Sequence, residues 1–231
     1  MKIMGYIRKL LKFKNFGVAS LPHIQGSFSQ FGEDLFLRWH FADREPGFYV
    51  DVGAFHPHYF SNTHYLSSFG WKGINIEANP LFSHRLAKHR PRDINVNCAV
   101  SDTEGEVTFR NDAMCSGIVD DAYTGDNEVG ETFSVSCRTL ANILDEHLPQ
   151  GQNIDVLSID CEGHDLRVVA GNRWEKYRPE VVLIEDHDTT IQSPTLEAME
   201  ALDYSMVSWY YLTKVFLDNR SNAPRPCIQA D

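Results

Sequence analysis

Acids collect at the ends of apolar runs in this sequence. Phe48-Tyr49-Val50-Asp51-Val52-Gly53, Lys72-Gly73-Ile74-Asn75-Ile76-Glu77 and Ile154-Asp155-Val156-Leu157-Ser158-Ile159-Asp160 each read as a strand finishing in a carboxylate, and Glu180-Val181-Val182-Leu183-Ile184 runs into Glu185-Asp186. Buried parallel strands are near-continuous apolar runs, and ligands of open α/β sheets bind beyond the strands' carboxyl ends. Acids gathered there are therefore candidates for chemistry. Glu77 stands 26 positions after Asp51, at the end of the second strand. Nucleotide-binding α/β domains place an acid there to accept hydrogen bonds from ribose hydroxyls; the competing reading is an acid capping the next helix. Asp102, after Val100-Ser101, would reach the same cleft and suits an adenine amino group, or else serves the turn Asp102-Thr103-Glu104-Gly105.

The glycines narrow the ligand. Dinucleotide sites use G-x-G-x-x-G to bring amides against a pyrophosphate, and nucleoside triphosphatases use G-x-x-x-x-G-K-[ST]. Here Gly53 stands alone, followed by Ala54-Phe55-His56-Pro57, and neither pattern occurs. A single-glycine turn accepts an adenosine without phosphates, such as one carrying an amino-acid tail.

The elements that would position these residues alternate. A helix starts near Ser29, with Glu33 and Asp34 at the positive end of its dipole. Strand 48–52 follows, then a helix from Asn62 to Phe69 closed by Gly70, strand 72–77, and a helix begun by Asn79-Pro80 and ending near His89. Ile94–Val100 reads as one further strand. Short strands at 106–109 and 132–136 flank a Gly-, Asp- and Asn-rich stretch, 110–131, long enough to be functional or mobile; as a flap it would close over an acceptor. Thr139 caps a helix ending near His147. Strands 154–160 and 180–186 are separated by a helix near 166–170. A helix near 194–202 precedes closing strands 206–211 and 214–218, whose short connection makes them antiparallel.

From about Ser29 to Asp218 the order of features resembles an FkbM-family methyltransferase of the class I, S-adenosylmethionine-dependent fold. The resemblance rests on Ser29-Gln30-Phe31-Gly32-Glu33-Asp34, Val50-Asp51-Val52-Gly53-Ala54, Ile76-Glu77-Ala78-Asn79-Pro80, Ala99-Val100-Ser101-Asp102 and Ile159-Asp160-Cys161-Glu162-Gly163-His164-Asp165. It implies a Rossmann-like α/β three-layer sandwich, with a mostly parallel seven-stranded sheet and an antiparallel last strand. It implies that S-adenosyl-L-methionine lies over Asp51, Gly53, Ala54, Glu77, Ala78, Ser101 and Asp102, with Gln30 and Asp160 near its amino-acid end. Members mostly methylate hydroxyls, on sugars of glycans and glycolipids or on natural products. Phe55-His56-Pro57 departs from the more glycine-like loop common in the family.

Methyl transfer from a sulfonium asks the protein to align an acceptor oxygen and remove its proton; alignment supplies ~7 kcal/mol or more in favourable cases. A positioned base adds about 10²–10⁴-fold. His164, just outside a strand end, is the leading base, with a helix-capping histidine as the plain alternative; Asp160 competes for the role. Glu162 binds acceptor hydroxyls or is a first-turn helix acid. Should their strands be neighbours, Asp160, Glu185 and Asp186 converge, and clustered carboxylates share a proton or bind a hard cation such as Mg2+ or Mn2+. That set is similar to the one in metal-dependent sugar O-methyltransferases; a solvated acidic rim is the alternative. His56, His58, Tyr59 and His187 would line a saccharide or small-molecule acceptor pocket, or form a mixed polar loop.

Bulk properties agree. The chain has 231 residues and a formal net charge of −11, which disfavours nucleic acid as partner. Its five cysteines show no C-x-x-C spacing, consistent with a reduced, cytoplasmic setting. Residues 1–28 read as a basic N-terminal helix and linker, with Lys2, Arg8, Lys9, Lys12 and Lys14 and no acid. That segment would pack on its own domain or another subunit, or lie on an anionic membrane. Residues 29–219 make the methyltransferase domain and 220–231 a tail. Competing classes are a binding module that keeps the cleft without turnover, and a pyridine-nucleotide oxidoreductase, which the missing glycines disfavour.

Overall fold

A computed structural model describes residues 26–111, 116–119 and 131–221. The expected N-terminal helix, most of the linker after it, most of the 110–131 stretch and residues 222–231 lie outside them. In chain order the elements are α1 (Glu33–His40), β1 (Phe48–Val52), α2 (His64–Ser68), β2 (Lys72–Ile76), α3 (Pro80–His89), β3 (Ile94–Val96), β4 (Ala99–Ser101), β5 (Gly105–Asn111), β6 (Gly117–Ile118), β7 (Glu131–Thr139), α4 (Leu140–His147), β8 (Val156–Ile159), α5 (Asp165–Ala170), β9 (Val181–Glu185), α6 (Pro194–Ala201), β10 (Tyr204–Tyr210) and β11 (Thr213–Asp218).

The main sheet runs β10-β11-β9-β8-β1-β2-β3. β3, β2, β1, β8 and β9 pair in parallel, whereas β11 is antiparallel to both β9 and β10. This is the expected mixed sheet with its antiparallel last strand. Strand side chains alternate between two cores. Val50, Val52, Leu157, Ile159, Val182 and Ile184 pack with Leu140, Ile143, Val168 and Met199 of α4, α5 and α6. Tyr49, Val156, Val181 and Leu183 pack on the other face with Leu37, Phe41 and Leu66 around α1 and α2. Burial on both faces explains why these strands lack polar alternation, and it makes the three layers.

One strand differs from expectation. Ile94–Val100 is not continuous: β3 ends at Val96, and β4 leaves for a second sheet ordered β4-β7-β5-β6. The chain turns at Asn97, whose amide donates to the carbonyls of Glu77 (2.7 Å) and Ala78 (3.0 Å). Those acceptors just past β2 are thereby satisfied by a side chain rather than by a continued ladder. Asp102 consequently follows a strand of the second sheet. That sheet packs Ala99, Phe109, Ile118, Val135 and Cys137 against Ala78, immediately after Glu77. Among the described residues no helix is long and apolar enough to cross a membrane.

Candidate active site

The carboxyl ends of β1, β2 and β8 meet at Gly53. Its N–H and that of Ala54 both donate to the Ile76 carbonyl (3.0 and 3.2 Å), and Asp160 N–H donates to the Val52 carbonyl (3.0 Å). Gly53 has φ +75°, and a Cβ there would stand 1.8 Å from the Asp160 carbonyl oxygen. Only glycine fits a left-handed turn pressed this closely on a neighbouring backbone.

Glu77 is 7% exposed and accepts the Phe55 N–H (2.8 Å) on one oxygen and the Asn79 N–H (2.7 Å) on the other. Both readings of this acid therefore apply: it holds the start of α3, and two amides fix its orientation beside the Gly53 turn. Burial raises its pKa to about 7 against the pull of those amides. Asn79 caps α3 through Leu81 N–H (2.9 Å), with Pro80 in the first turn. Ala78 and Ser101 are buried nearby, and the Asp102 side chain is 37% exposed, 3.8 Å from Arg167.

Asp51 behaves differently. It is buried on the α2 side of the sheet, where Thr63 Oγ1 donates to it (2.5 Å). Burial pushes its carboxyl above the usual range, and the nearby Arg90 guanidinium opposes that. Gln30 is half-buried between two fixed neighbours. Ser29 Oγ accepts the Gly32 and Asp34 amides, and the buried Asp34 takes both Ser27 and Ser29 hydroxyls.

Beyond β8 and β9 lies the acidic group. Asp160 is raised well above the carboxylate range by burial, by Glu185 and by Glu162. Like charges that close hold a proton between them. Glu162 adopts φ +51°, a costly conformation for a residue with a side chain. Its carboxylate, that of Glu185 and the His187 imidazole bring one ligand atom each within 4.8 Å of one another. His187 Nε2 lies 3.2 Å from Glu185 and 3.9 Å from Glu162. Its pKa is raised to about 9, first by the hydrogen bond to Glu185. The third acid expected here, Asp186, is placed elsewhere. Its carboxylate pairs with the fully buried Lys214 (2.7 Å) and accepts Ser193 Oγ (2.7 Å), so successive residues of the strand end face apart. His187 occupies the place anticipated for Asp186.

His164 is 3% exposed and stands at the N-terminal boundary of α5, its backbone carbonyl accepting the Arg167 and Val168 amides. Asp165 fastens the turn between Asp160 and α5 by accepting the Cys161 and Gly163 amides. The histidines after the Gly53 turn are held by their own loop. His56 Nδ1 accepts the His58 and Tyr59 amides (both 3.1 Å), and burial followed by the neighbouring His58 lowers its pKa to about 4. Tyr59 is 55% exposed.

Several contributors carry no motif. Glu33 is buried, accepting the Phe31 amide (2.8 Å) on one oxygen and Thr213 Oγ1 (2.9 Å) on the other. It thus ties the segment before α1 to the β10–β11 turn, where the Phe31 and Tyr211 rings meet edge to face at 5.0 Å. Thr213 is in register with Glu185, which brings this aromatic pair to the acidic edge. A lysine interrupting Thr213-Lys214-Val215-Phe216-Leu217 was the one available sign of the Asp186 pair.

A family profile described as "Methyltransferase FkbM domain" matches residues 51–206. The chain belongs to the FkbM methyltransferase family. The sheet order above is that of the mostly parallel fold expected from the sequence. Among solved structures, the methyltransferase FkbM from Methylobacillus flagellatus KT is 13% identical with a TM-score of 0.47, covering 75% of this chain and 43% of its own. The TehB-like SAM-dependent methyltransferase from Corynebacterium glutamicum ATCC 13032 Kitasato is 12% identical with a TM-score of 0.44, covering 93% and 97%. Monomeric WbdD is 13% identical with a TM-score of 0.45, covering 87% and 47%. This chain thus spans less than half the length of the first and third of these. No curated protein matches it.

Proposed function

We propose that this chain is an S-adenosylmethionine-dependent methyltransferase that methylates a hydroxyl oxygen of a saccharide, within a glycan or nucleotide-sugar precursor. The observation that carries the reading is the Glu162–Glu185–His187 group beside Asp160, on the strand ends next to the Gly53 turn. Carboxylates and imidazole suit an acceptor made of hydroxyls, and the adjoining Phe31 and Tyr211 rings suit the apolar face of a sugar ring.

S-adenosylmethionine, when bound, supplies a methyl group on a sulfonium, with the leaving group already installed. Gly53 and Ala54 would admit the adenosine moiety, Glu77 would accept from its ribose hydroxyls, Asp102 would meet the adenine amino group, and Gln30 and Asp160 would hold the amino-acid end. Asp160 also suits the acceptor proton. Burial, then Glu185 and Glu162, raise its proton affinity well above that of an ordinary carboxylate. His164 is the alternative base, and Glu162 orients the acceptor hydroxyls.

Glu162, Glu185 and His187 fit a divalent cation. Glu185 is buried with its Oε2 facing His187 Nε2 at 3.2 Å, and two carboxylates with one imidazole suit Mn2+ or Mg2+. Such an ion would polarise acceptor hydroxyls and lower their pKa. The test is methyl transfer from labelled S-adenosylmethionine to a panel of nucleotide-sugars with mass detection, before and after EDTA. An ether product whose yield collapses on chelation and returns with Mn2+ is expected. Methylation at nitrogen or carbon would overturn the acceptor assignment, and full activity after chelation would remove the ion. Normal turnover by His164→Ala would leave the proton to Asp160.

A further inference from the structure

Arg90 follows α3 and is 4% exposed, yet it belongs to no motif. Its guanidinium reaches backward into the loop after the cofactor turn. Nη2 donates to the Pro57 carbonyl (2.8 Å) and Ser61 Oγ (2.7 Å), while Nη1 donates to Thr63 Oγ1 (2.7 Å) and to Asn75 Oδ1 of β2 (3.1 Å). Through Thr63 the cation is linked to Asp51 of β1. One side chain thus joins two central strands and three points of one loop.

That loop needs holding. Phe55 and Phe60 both sit at positive φ, +48° and +56°. Each such residue is strained and persists only where its surroundings over-determine it. The Phe55 amide is also one of the two donors that orient Glu77. Release of Pro57 would let Phe55 relax and free one oxygen of the acid assigned to the ribose.

We propose that Arg90 is a positioning residue for the cofactor, acting through residues 53–63; the proposal rests on the cofactor site at Gly53 and Glu77. A planar fork is required, because a single ammonium on a flexible stem cannot span Pro57, Ser61, Thr63 and Asn75 together.

The experiment compares S-adenosylhomocysteine affinity by calorimetry for wild type, Arg90→Lys, Ser61→Ala and Arg178→Lys, well below each unfolding transition. Arg178 makes a half-buried fork to Asp218, Leu202 and Asp203 at the opposite edge of the sheet, so its variant controls for lost stability alone. Arg90→Lys is expected to weaken binding about tenfold or more and Ser61→Ala about threefold, with Arg178→Lys unchanged. Wild-type affinity in Arg90→Lys, or an equal loss in Arg178→Lys, overturns the proposal. Should Arg90→Lys fail to fold, Ser61→Ala decides: affinity within about twofold of wild type overturns it. Failure of the wild type itself to bind would instead sink the cofactor site on which the proposal rests.

Discussion

Glu77 makes the cofactor site sensitive to pH in a calculable way. Its pKa is raised to about 7 by burial, from an ordinary 4.5. In the ligand-free protein the folded state therefore holds a proton that the unfolded chain has lost between those values. Glu77's contribution to stability is full below pH 4.5 and falls as pH rises to about 7, by up to roughly 3 kcal/mol. In the proposed site ribose hydroxyls would donate to the carboxylate, so the ligand would select the ionised form. Affinity for S-adenosylhomocysteine should then be flat above pH 8 and fall about tenfold per unit below 7. At pH 5.5 that amounts to about 30-fold weaker binding, close to 2 kcal/mol. Glu77→Gln should bind more weakly by about 10- to 100-fold, from loss of charge-assisted hydrogen bonds, and lose most of the pH dependence. Calorimetry across this range in buffers of matched ionic strength reads both. A flat wild-type profile, or the same slope in Glu77→Gln, would refute the assignment of Glu77 to the ribose.

Three further outcomes follow from the geometry. Gly53→Ala should lose about 2–4 kcal/mol in urea unfolding and most cofactor affinity, since its Cβ meets the Asp160 carbonyl at positive φ; wild-type stability would mean that the turn can move. The His187 imidazole should titrate near 9 by NMR without metal, its ion pairs stabilising the fold below pH 6.5 and fading as pH rises through about 9. Glu185→Gln should bring that value down, and an unchanged titration would show that the pair does not form. Lys214→Met should cost about 3–5 kcal/mol by leaving Asp186 buried and unpaired, with much of it recovered in Lys214→Met/Asp186→Leu; a loss that the second change does not reduce would count against the pairing.

Much of this molecule was legible because two-sided burial leaves a plain trace. Continuous apolar runs ending in Asp51, Glu77, Asp160 and Glu185 predicted the strands and the edge where acids gather. Asn79-Pro80 and Thr139 marked helix starts because capping chemistry is local. What stayed hidden depends on side chains meeting across the fold. Asn97 ends β3 by bonding two carbonyls some twenty residues earlier. Whether Asp186 or His187 joins Glu185 turns on which face of the strand end each occupies, and Lys214 settles that from another strand. Glu162 reaches the group only through a left-handed backbone, which a sequence does not display. The roles of Glu33 and Arg90 likewise arise from partners distant in the chain.

The proposed site puts the cofactor over Gly53, with its ribose on Glu77 and its amino-acid end toward Asp160. A crystal structure with S-adenosylhomocysteine is the decisive test. Both ribose hydroxyls are expected within hydrogen-bond distance of the Glu77 carboxylate, and the sulfur is expected to face the Asp160, Glu162 and His187 side chains. Ribose density away from Glu77, or a sulfur pointing away from that edge, would contradict it.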